Sequence, residues 1–392
     1  MRPRAGRLVT IESLTELERR LAAGARRLTG WRLVGLDLRR HSDRLAECDT
    51  TRTTFAGCTF APGDERMHAA RGALILPSVA AAPVDPHRDS LYTADELYDS
   101  PDYAASLDGR AYAWAQQLEK QQAQSAAPGR LRAAGAPSER DVAGGRLGLA
   151  LHDDGIDFAL AEWIRGRRLV GVMGGHQMKR GDTDYAGAAR MGRLLASGAA
   201  GEGLTVATGG GPGAMEAANL GARLAAGDAA ALDAALETLA AAPSYHPSVD
   251  AWIAAARAVL ADTAGIRPTE TLGVPTWHYG HEPPNLFATA IAKYFRNALR
   301  EAILLQVCGS GIVFLPGAGG TVQEIFQDAC ENYYATEDAI APMVLVDRRH
   351  WTETLPAWPL LRALAKGRPM EAHIHLVDTV DEAAAIIVGG RA

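Results

Sequence analysis

The chain of 392 residues is long enough for one large core and a smaller domain, and its 47% hydrophobic and 22% charged residues are typical of a globular protein. A formal net charge of -6 argues against a polyanion-binding surface, so we expect no nucleic-acid partner. No window approaches the roughly 18 uninterrupted apolar residues of a membrane span, so we expect no membrane partner either.

The first residues, MRPRAGRLVTIESL, are basic but lack the apolar core of a secretory signal peptide, which favours a cytoplasmic location. The four cysteines show no CxxC spacing. This pattern predicts neither a zinc site nor a disulfide framework.

Residues 1–115 are predicted to form an N-terminal α+β region whose role the sequence does not indicate. Within it, 12–28 has the pattern of an amphipathic helix, and 31–40 and 73–80 have the patterns of strands. Residues 116–150 are polar, rich in Ala, Gly and Pro, and short of large apolar groups. We predict a mobile linker or long loop over 116–150.

From residue 151 to 392, apolar runs alternate with helical stretches. The segments 167–175, 204–211 and 311–320 are each predicted to be a strand that ends in glycines before a helix, and 288–308 is predicted to be one long helix. Strand, glycine turn and helix in repetition are typical of a parallel sheet with crossover helices. The predicted fold class is therefore α/β, with a Rossmann-like doubly wound parallel sheet that binds a nucleotide.

The glycine turns lie where such sheets bind ligands, beyond the carboxyl ends of the strands. Free N–H groups and the helix dipole favour a phosphate there, and glycine lets the anion approach the backbone. We predict a phosphate-binding turn made of Gly317, Gly319, Gly320 and Thr321. Nucleotide-binding turns are predicted at Gly174, Gly175, Gly209, Gly210, Gly211 and Gly213. For any single turn, the alternative is that its glycines only permit tight packing between strand and helix.

Two common nucleotide-binding motifs are absent. No GxxxxGK[ST] occurs, which excludes a P-loop. VGVMGGHQ does not continue as GxGxxG, and no acidic residue ends the following strand, which disfavours a nicotinamide dehydrogenase.

GGGPGAMEAANLGA at 209–222 and PGAGGTVQE at 316–324 together resemble the paired motifs of the LONELY GUY, or lysine-decarboxylase-like, phosphoribohydrolase family. EPPN at 282–285 points to the larger bacterial branch, the pyrimidine/purine nucleotide 5'-monophosphate nucleosidases. The resemblance implies an enzyme that hydrolyses the N-glycosidic bond of a nucleoside 5'-monophosphate to free base and ribose 5-phosphate. It also implies a homo-oligomer, dimer or tetramer, and no cofactor.

The resemblance assigns the catalytic pair to Arg300 and Glu324. Glu324 matches the last Glu of the family's PGGxGTxEE directly, whereas Arg300 lies one residue further upstream than the family spacing, with Arg296 as the alternative. Ala318 and Gln323 depart from the motif, because they replace a Gly and a Glu. On their own, Glu324 would only stabilise the first turns of a helix and Arg300 would be a solvated surface charge.

TWHYGHEPPN, at 276–285, is predicted to be a loop that lines the nucleotide pocket, with Glu282 and Asn285 binding base or ribose and Trp277 or Tyr279 available for stacking. His278, His281 and Glu282 lie close in sequence, but the Pro-Pro pair disfavours the helix that would align metal ligands, so we predict no metal. Met215 is a further candidate beside the nucleotide, with core packing as the alternative. A buried structural loop is the alternative for 276–285.

A second hypothesis is a nucleotide-binding sensor or carrier without turnover, because Gln323 replaces a family carboxylate. Decarboxylation of lysine has no supporting pyridoxal-lysine motif. The sequence does not indicate base preference or an effector such as an alarmone.

Overall fold

The computed structural model describes residues 9–76, 82–125, 139–197, 203–279 and 282–389. The chain divides into two compact units, one made of Met1–His87 with Leu118–Leu151 and the other of Arg88–Gln117 with His152–Ala392. This division differs from the predicted boundaries at 115 and 150.

The first unit contains a four-stranded parallel sheet whose strand order follows the chain. Its strands are β1 (Val9–Ile11), β2 (Trp31–Val34), β3 (Thr54–Ala56) and β4 (Leu74–Leu76), and the helices between them are α1 (Leu14–Ala22), α2 (Ser42–Ala46) and α3 (Asp64–Ala70). Leu17 and Leu21 of α1 are buried in one core with Leu33 and Phe55 of the strands. The predicted strand at 73–80 is present over β4, and residues 77–81 lie outside the described part of the chain.

Helices occupy the described parts of 116–150, where a linker or long loop was predicted. After α4 (Ala94–Leu97), helix α5 spans Leu107–Ser125 and helix α6 spans Glu139–Trp163, while residues 126–138 lie outside the described part. The segment 116–125, QQLEKQQAQS, is polar but rich in Gln, Glu, Lys and Leu, which lose little side-chain freedom in a helix. A shortage of large apolar residues therefore did not prevent helix formation.

The second unit is built on a seven-stranded sheet in which every neighbouring pair is parallel. The strands are β5 (Leu169–Met173), β6 (Thr205–Thr208), β7 (Thr271–Gly273), β8 (Ala290–Ile291), β9 (Ile312–Phe314), β10 (Met343–Val346) and β11 (Ile374–Val377). The order β11-β10-β9-β5-β6-β7-β8 confirms the predicted α/β, Rossmann-like class. The chain runs outward from β5 to β8 and then returns to β9 on the other side of β5, so the strand order reverses between β5 and β9.

The helices of the second unit follow or precede these strands, and they are α7 (Thr183–Ala196), α8 (Ala214–Arg223), α9 (Ala229–Ala240), α10 (Val249–Asp262), α11 (Asn297–Gln306), α12 (Gly319–Tyr334), α13 (Ala357–Ala365) and α14 (Val380–Gly389). Val172, Val206, Val313 and Val344 of the sheet are buried against them. Within the described ranges, no helix is both long and apolar enough to cross a membrane.

The predicted long helix over 288–308 is wrong in its first half, because α11 begins only at Asn297. Residues 290–291 instead form β8, and the backbone N–H of Ala292 donates to the carbonyl of Gly273 at 2.9 Å. A backbone N–H of Thr289 likewise donates to Thr271 at 3.0 Å. Pairing with an existing strand thus overrides the local helical pattern.

Helices α7 and α8 approach each other closely at two glycines. A Cβ on Gly192 would lie 2.1 Å from the carbonyl oxygen of Ala218, and a Cβ on Gly221 would lie 1.7 Å from that of Ala189. Both oxygens are backbone atoms, so a side chain added at either glycine would fit only if the helix backbone moved. The two glycines therefore set the distance between the helices that flank β5 and β6.

We expect Gly221→Ala to lower the free energy of unfolding by at least about 1–3 kcal/mol, the usual cost of overpacking. Gly187→Ala is the matched control, because Gly187 lies in α7 with no atom within 4 Å of its added Cβ. It should raise stability by about 0.5–1 kcal/mol through the lower entropy of the unfolded chain. Urea denaturation measures both values, and a neutral Gly221→Ala would contradict the close approach.

Candidate functional site

A cavity of about 690 Å³ opens at the carboxyl ends of β5 and β9. This is the point where the strand order reverses, which is where open α/β sheets bind their ligands. Nine of the residues predicted for the site line it: Gly174, Gly175, Met215, Glu282, Arg300, Gly317, Gly320, Thr321 and Glu324. The sheet therefore brings together parts of the chain that are more than a hundred residues apart.

The start of α12 forms one wall of this cavity. Its N-cap residue is Ala318, no side chain caps the helix, and the backbone N–H of Val322 donates to the carbonyl of Ala318 at 3.0 Å. The N–H groups of the first turn precede that bond, so they are available to an external acceptor. Ala318, Gly319 and Gly320 are exposed, and Gly319 lies outside the cavity lining.

Gly317 is required for this turn by its contact with Thr321. A Cβ at position 317 would lie 2.1 Å from the hydroxyl oxygen of Thr321, which is buried at 4% exposure. The threonine side chain thus occupies the space that glycine leaves. This contact fixes the backbone of the turn, and Gly317, Ala318, Gly320 and Thr321 of the turn line the cavity.

The turn from Gly209 to Gly213 is closed, unlike the start of α12. Gly209, Gly210 and Gly211 are buried, and none of them lines the cavity. Gly210 has a φ of 73° and packs against Pro275, while Gly213 lies against the carbonyl oxygens of Gly175 and His176. Gly209, Gly210 and Gly211 thus fit the alternative of tight packing between strand and helix, whereas Gly213 lines the second cavity described below.

Arg300 lines the cavity and packs against Gly209 of this turn. Its Nε donates to the carbonyl oxygen of Val274 at 2.9 Å, and the side chain is buried at 7% exposure. A Cβ on Gly209 would lie 2.8 Å from Nη2 of Arg300 and 2.7 Å from Sδ of Met215. Gly209 therefore makes room for the guanidinium group.

Glu324 lies half-buried on α12, and it lines the same cavity as Arg300. Burial raises the pKa of Glu324 from 4.5 to about 7, with the positive charge of Arg300 opposing the shift and the carboxylates of Glu301 and Glu282 adding to it. A carboxyl group that titrates near neutrality can accept or donate a proton at physiological pH. Asp328, one turn further along α12, also has a pKa raised by burial, to about 8, but it does not line the cavity.

His176 and Glu282 meet across the mouth of the cavity. Nδ1 of His176 lies 3.1 Å from Oε1 of Glu282, and both side chains line the cavity. This contact joins the turn after β5 to the predicted loop at 276–285, in which Gly280 and His281 lie outside the described residues.

Asn285 and Trp277 have structural positions rather than the nucleotide contacts predicted for them. Asn285 is fully buried, and its side chain accepts from the backbone N–H groups of Phe287 and Ala288 and donates to Asn219 at 3.0 Å. Trp277 is stacked on Phe295 with ring centroids 4.4 Å apart. Both positions therefore fit the alternative stated for 276–285, a buried structural loop.

A buried ion pair holds Trp277 in place. Its Nε1 donates to Oδ1 of Asp108 at 2.8 Å, and Nζ of Lys293 lies 2.5 Å from the same oxygen. Lys293 is 1% exposed. This network fixes the start of the loop that carries Tyr279 and Glu282 to the cavity.

Several lining residues do not belong to the predicted site, and Glu301 and His350 are two of them. Nε2 of His350 lies 3.1 Å from the carbonyl oxygen of Gly317, so this histidine supports the turn before α12. It follows β10, which is the neighbour of β9 in the sheet. The rule that loops after neighbouring parallel strands meet at one edge is the signal that could have identified it.

A second cavity, of about 510 Å³, shares His176, Gln177 and Met178 with the first. Gly213 lines this second cavity and not the first. Beneath it, Arg180 and Glu216 form an ion pair with Nη2 and Oε1 2.5 Å apart, both side chains being 1% exposed. The charge of this arginine is thus already matched.

No family model matches the sequence, and no curated protein matches it. Among solved structures, the molybdenum cofactor carrier protein from Chlamydomonas reinhardtii is similar at 17% identity, over 57% of this chain and 97% of that chain, with a TM-score of 0.32. This likeness is too weak to assign a family, and the fold class rests on the strand order described above.

We expect Glu324→Gln to become more stable relative to the unchanged protein as pH rises from 4 to 8. The folded-state pKa of Glu324 is above its ordinary value, so its contribution to stability is present below about pH 4.5 and is lost as pH rises towards 7. Between pH 4 and pH 8, the free energy of unfolding of Glu324→Gln relative to the unchanged protein should rise by on the order of 1 kcal/mol or more, since one pKa unit corresponds to about 1.4 kcal/mol.

Urea denaturation at pH 4, 6 and 8 measures this difference. Glu237→Gln on α9 is the control, because it makes the same chemical change at an exposed position. Parallel curves for Glu324→Gln and the unchanged protein would contradict a raised pKa for Glu324.

Proposed function

We propose that the protein hydrolyses the N-glycosidic bond of nucleoside 5'-monophosphates, releasing the base and ribose 5-phosphate. The observation that carries the proposal is the placement of Glu324 in one cavity with the uncapped start of its own helix. Glu324 lies five residues after Gly319, or about 7.5 Å along the helix axis at about 1.5 Å per residue. A ribose 5-phosphate can span such a distance between its phosphate and its anomeric carbon.

In this proposal the phosphate binds the N–H groups at the start of α12. These amides and the helix dipole favour an anion without any lysine, and Thr321 adds a hydroxyl at the same point. The rest of the lining includes five carboxylates that would repel an anion, namely Asp182, Asp184, Glu282, Glu301 and Glu324. The amides would therefore bind the phosphate end of a nucleotide, and the carboxylates would face its sugar end.

The reaction breaks the bond between C1 of the ribose and the base nitrogen. Glu324, when ionised, would stabilise positive charge on the sugar and accept a proton from the attacking water. The water oxygen forms the new bond to C1, and the base leaves with the bonding electron pair and takes up a proton. Arg300 would stabilise negative charge on the departing base and favour the ionised form of Glu324.

A second candidate is nucleotide binding without turnover. The observation that favours it is Gln323, which stands where the resembling family has a carboxylate. A homo-oligomer and a cytoplasmic location also stay predictions, and light scattering of the purified protein would measure the oligomeric state.

We expect incubation with AMP, GMP, CMP and UMP to yield free base and ribose 5-phosphate from at least one of them, as measured by chromatography. Glu324→Gln should lower kcat/KM by about 100-fold or more, because a positioned acid-base group contributes about 10²–10⁴-fold. Asp328→Asn is the control, since Asp328 lies on the same helix outside the cavity lining, and its kcat/KM should stay close to that of the unchanged protein.

The outcomes separate the two candidates. Binding of a nucleotide with no product from any of the four would favour the sensor. Full activity in Glu324→Gln would remove that carboxylate from the chemistry.

A further inference from the structure

Glu301 is a carboxylate of the cavity wall whose two oxygens are held by neutral donors. Nδ2 of Asn297 donates to Oε1 at 2.6 Å, and Nε2 of Gln323 donates to Oε2 at 2.7 Å. Nδ2 of Asn297 also donates to the hydroxyl of Tyr279 at 3.1 Å. Residues from α11, α12 and the loop after β7 thus fix the orientation of this one side chain.

Neither of these contacts brings a positive charge to Glu301. Among the described residues, no Lys or Arg forms an ion pair with it, and both of its donors are uncharged amides. A carboxylate accepts about four hydrogen bonds, so one acceptor position on each oxygen remains beyond the two amide contacts. Glu301 is half-buried and lines the cavity, which makes these positions accessible to a bound molecule.

The negative charge of Glu301 acts directly on Glu324. Both carboxylates line the cavity, and Glu301 is hydrogen-bonded to Gln323, the residue before Glu324, so the two groups lie near each other. Glu301 accordingly contributes to the raised pKa of Glu324. If Glu324 faces the anomeric carbon C1, the neighbouring ring atoms are the ring oxygen, which has no proton to donate, and C2, which carries a hydroxyl. The nearest groups of a ribose that can donate to Glu301 are then the hydroxyls on C2 and C3.

We propose that Glu301 accepts hydrogen bonds from the 2'- and 3'-hydroxyls of the substrate and makes the site selective for ribonucleotides over 2'-deoxyribonucleotides. This inference rests on the proposed function, whose sugar-binding step it specifies. The two oriented carboxylate oxygens of Glu301 match the two hydroxyls of a vicinal diol, whereas an exocyclic amino group of a base would bind only one of these oxygens. Gln323 and Asn297 are positioning residues, because they act through Glu301.

The test compares kcat/KM for AMP, GMP, CMP and UMP with the values for their 2'-deoxy counterparts. The unchanged protein should prefer the ribonucleotide by about 10- to 100-fold, the range for one hydrogen bond to a charged group. Glu301→Gln should lose about tenfold or more with ribonucleotides and clearly less with 2'-deoxyribonucleotides, which keep only the 3'-hydroxyl, so the preference for ribose should fall. Gln323→Ala should lower the same ratio while the melting temperature stays within a few degrees.

Glu337→Gln is the matched control, because it makes the same chemical change at an exposed position outside the cavity lining. It should leave the ribose preference intact. Equal losses for both sugars in Glu301→Gln, or a changed base preference at a constant sugar ratio, would overturn the assignment.

Calorimetry with ribose 5-phosphate and 2-deoxyribose 5-phosphate separates this inference from the proposed reaction. If the protein cleaves no nucleotide but binds ribose 5-phosphate more tightly, and Glu301→Gln removes that preference, the reaction is wrong and the role of Glu301 stands. If cleavage occurs but the two sugar phosphates bind equally, the role of Glu301 is wrong and the reaction stands. Binding of neither sugar phosphate to a protein without turnover would overturn both.

Discussion

The placement of the Arg300 guanidinium group organises the whole site. It is bound to the carbonyl oxygen of Val274 at the end of β7 and fills the space above Gly209 at the end of β6. From there its charge acts on Glu324 of α12. A buried arginine needs both a hydrogen-bond acceptor and a nearby negative charge. The carbonyl of Val274 and the carboxylate of Glu324 supply them, so one side chain joins two strands and two helices.

The glycines of the sheet edge serve two different purposes that follow from the strand order. Between β5 and β9 the order reverses, neighbouring loops diverge, and the start of α12 is left open. After β6 no reversal occurs, and the turn at Gly209–Gly213 is covered by Pro275 and by the backbone of Gly175. The open turn can bind an anion, whereas the closed turn makes room for Arg300. Position in the sheet, rather than glycine content, decides which purpose applies.

The fold class could be predicted from the sequence because each strand, glycine turn and helix is a local pattern. Arg300 and Glu324 could be identified by motif spacing, and both lie in one cavity. The positions of Trp277 and Asn285 could not be predicted, because they depend on partners far along the chain, such as Asp108, which is 169 residues from Trp277. Glu301 was missed for the same reason, since its orientation depends on Gln323 of another helix. Sequence patterns report local structure, whereas these roles arise from packing between distant segments.

If one cavity binds the phosphate at the start of α12 and holds Glu324 against the anomeric carbon of the sugar, a crystal structure of the protein with ribose 5-phosphate will show this arrangement. We expect phosphate oxygens within hydrogen-bond distance of the backbone N–H groups of Gly319, Gly320 or Thr321, with C1 facing Glu324. A phosphate bound in the second cavity beside Lys179 and His246, or a sugar turned away from Glu324, would contradict it.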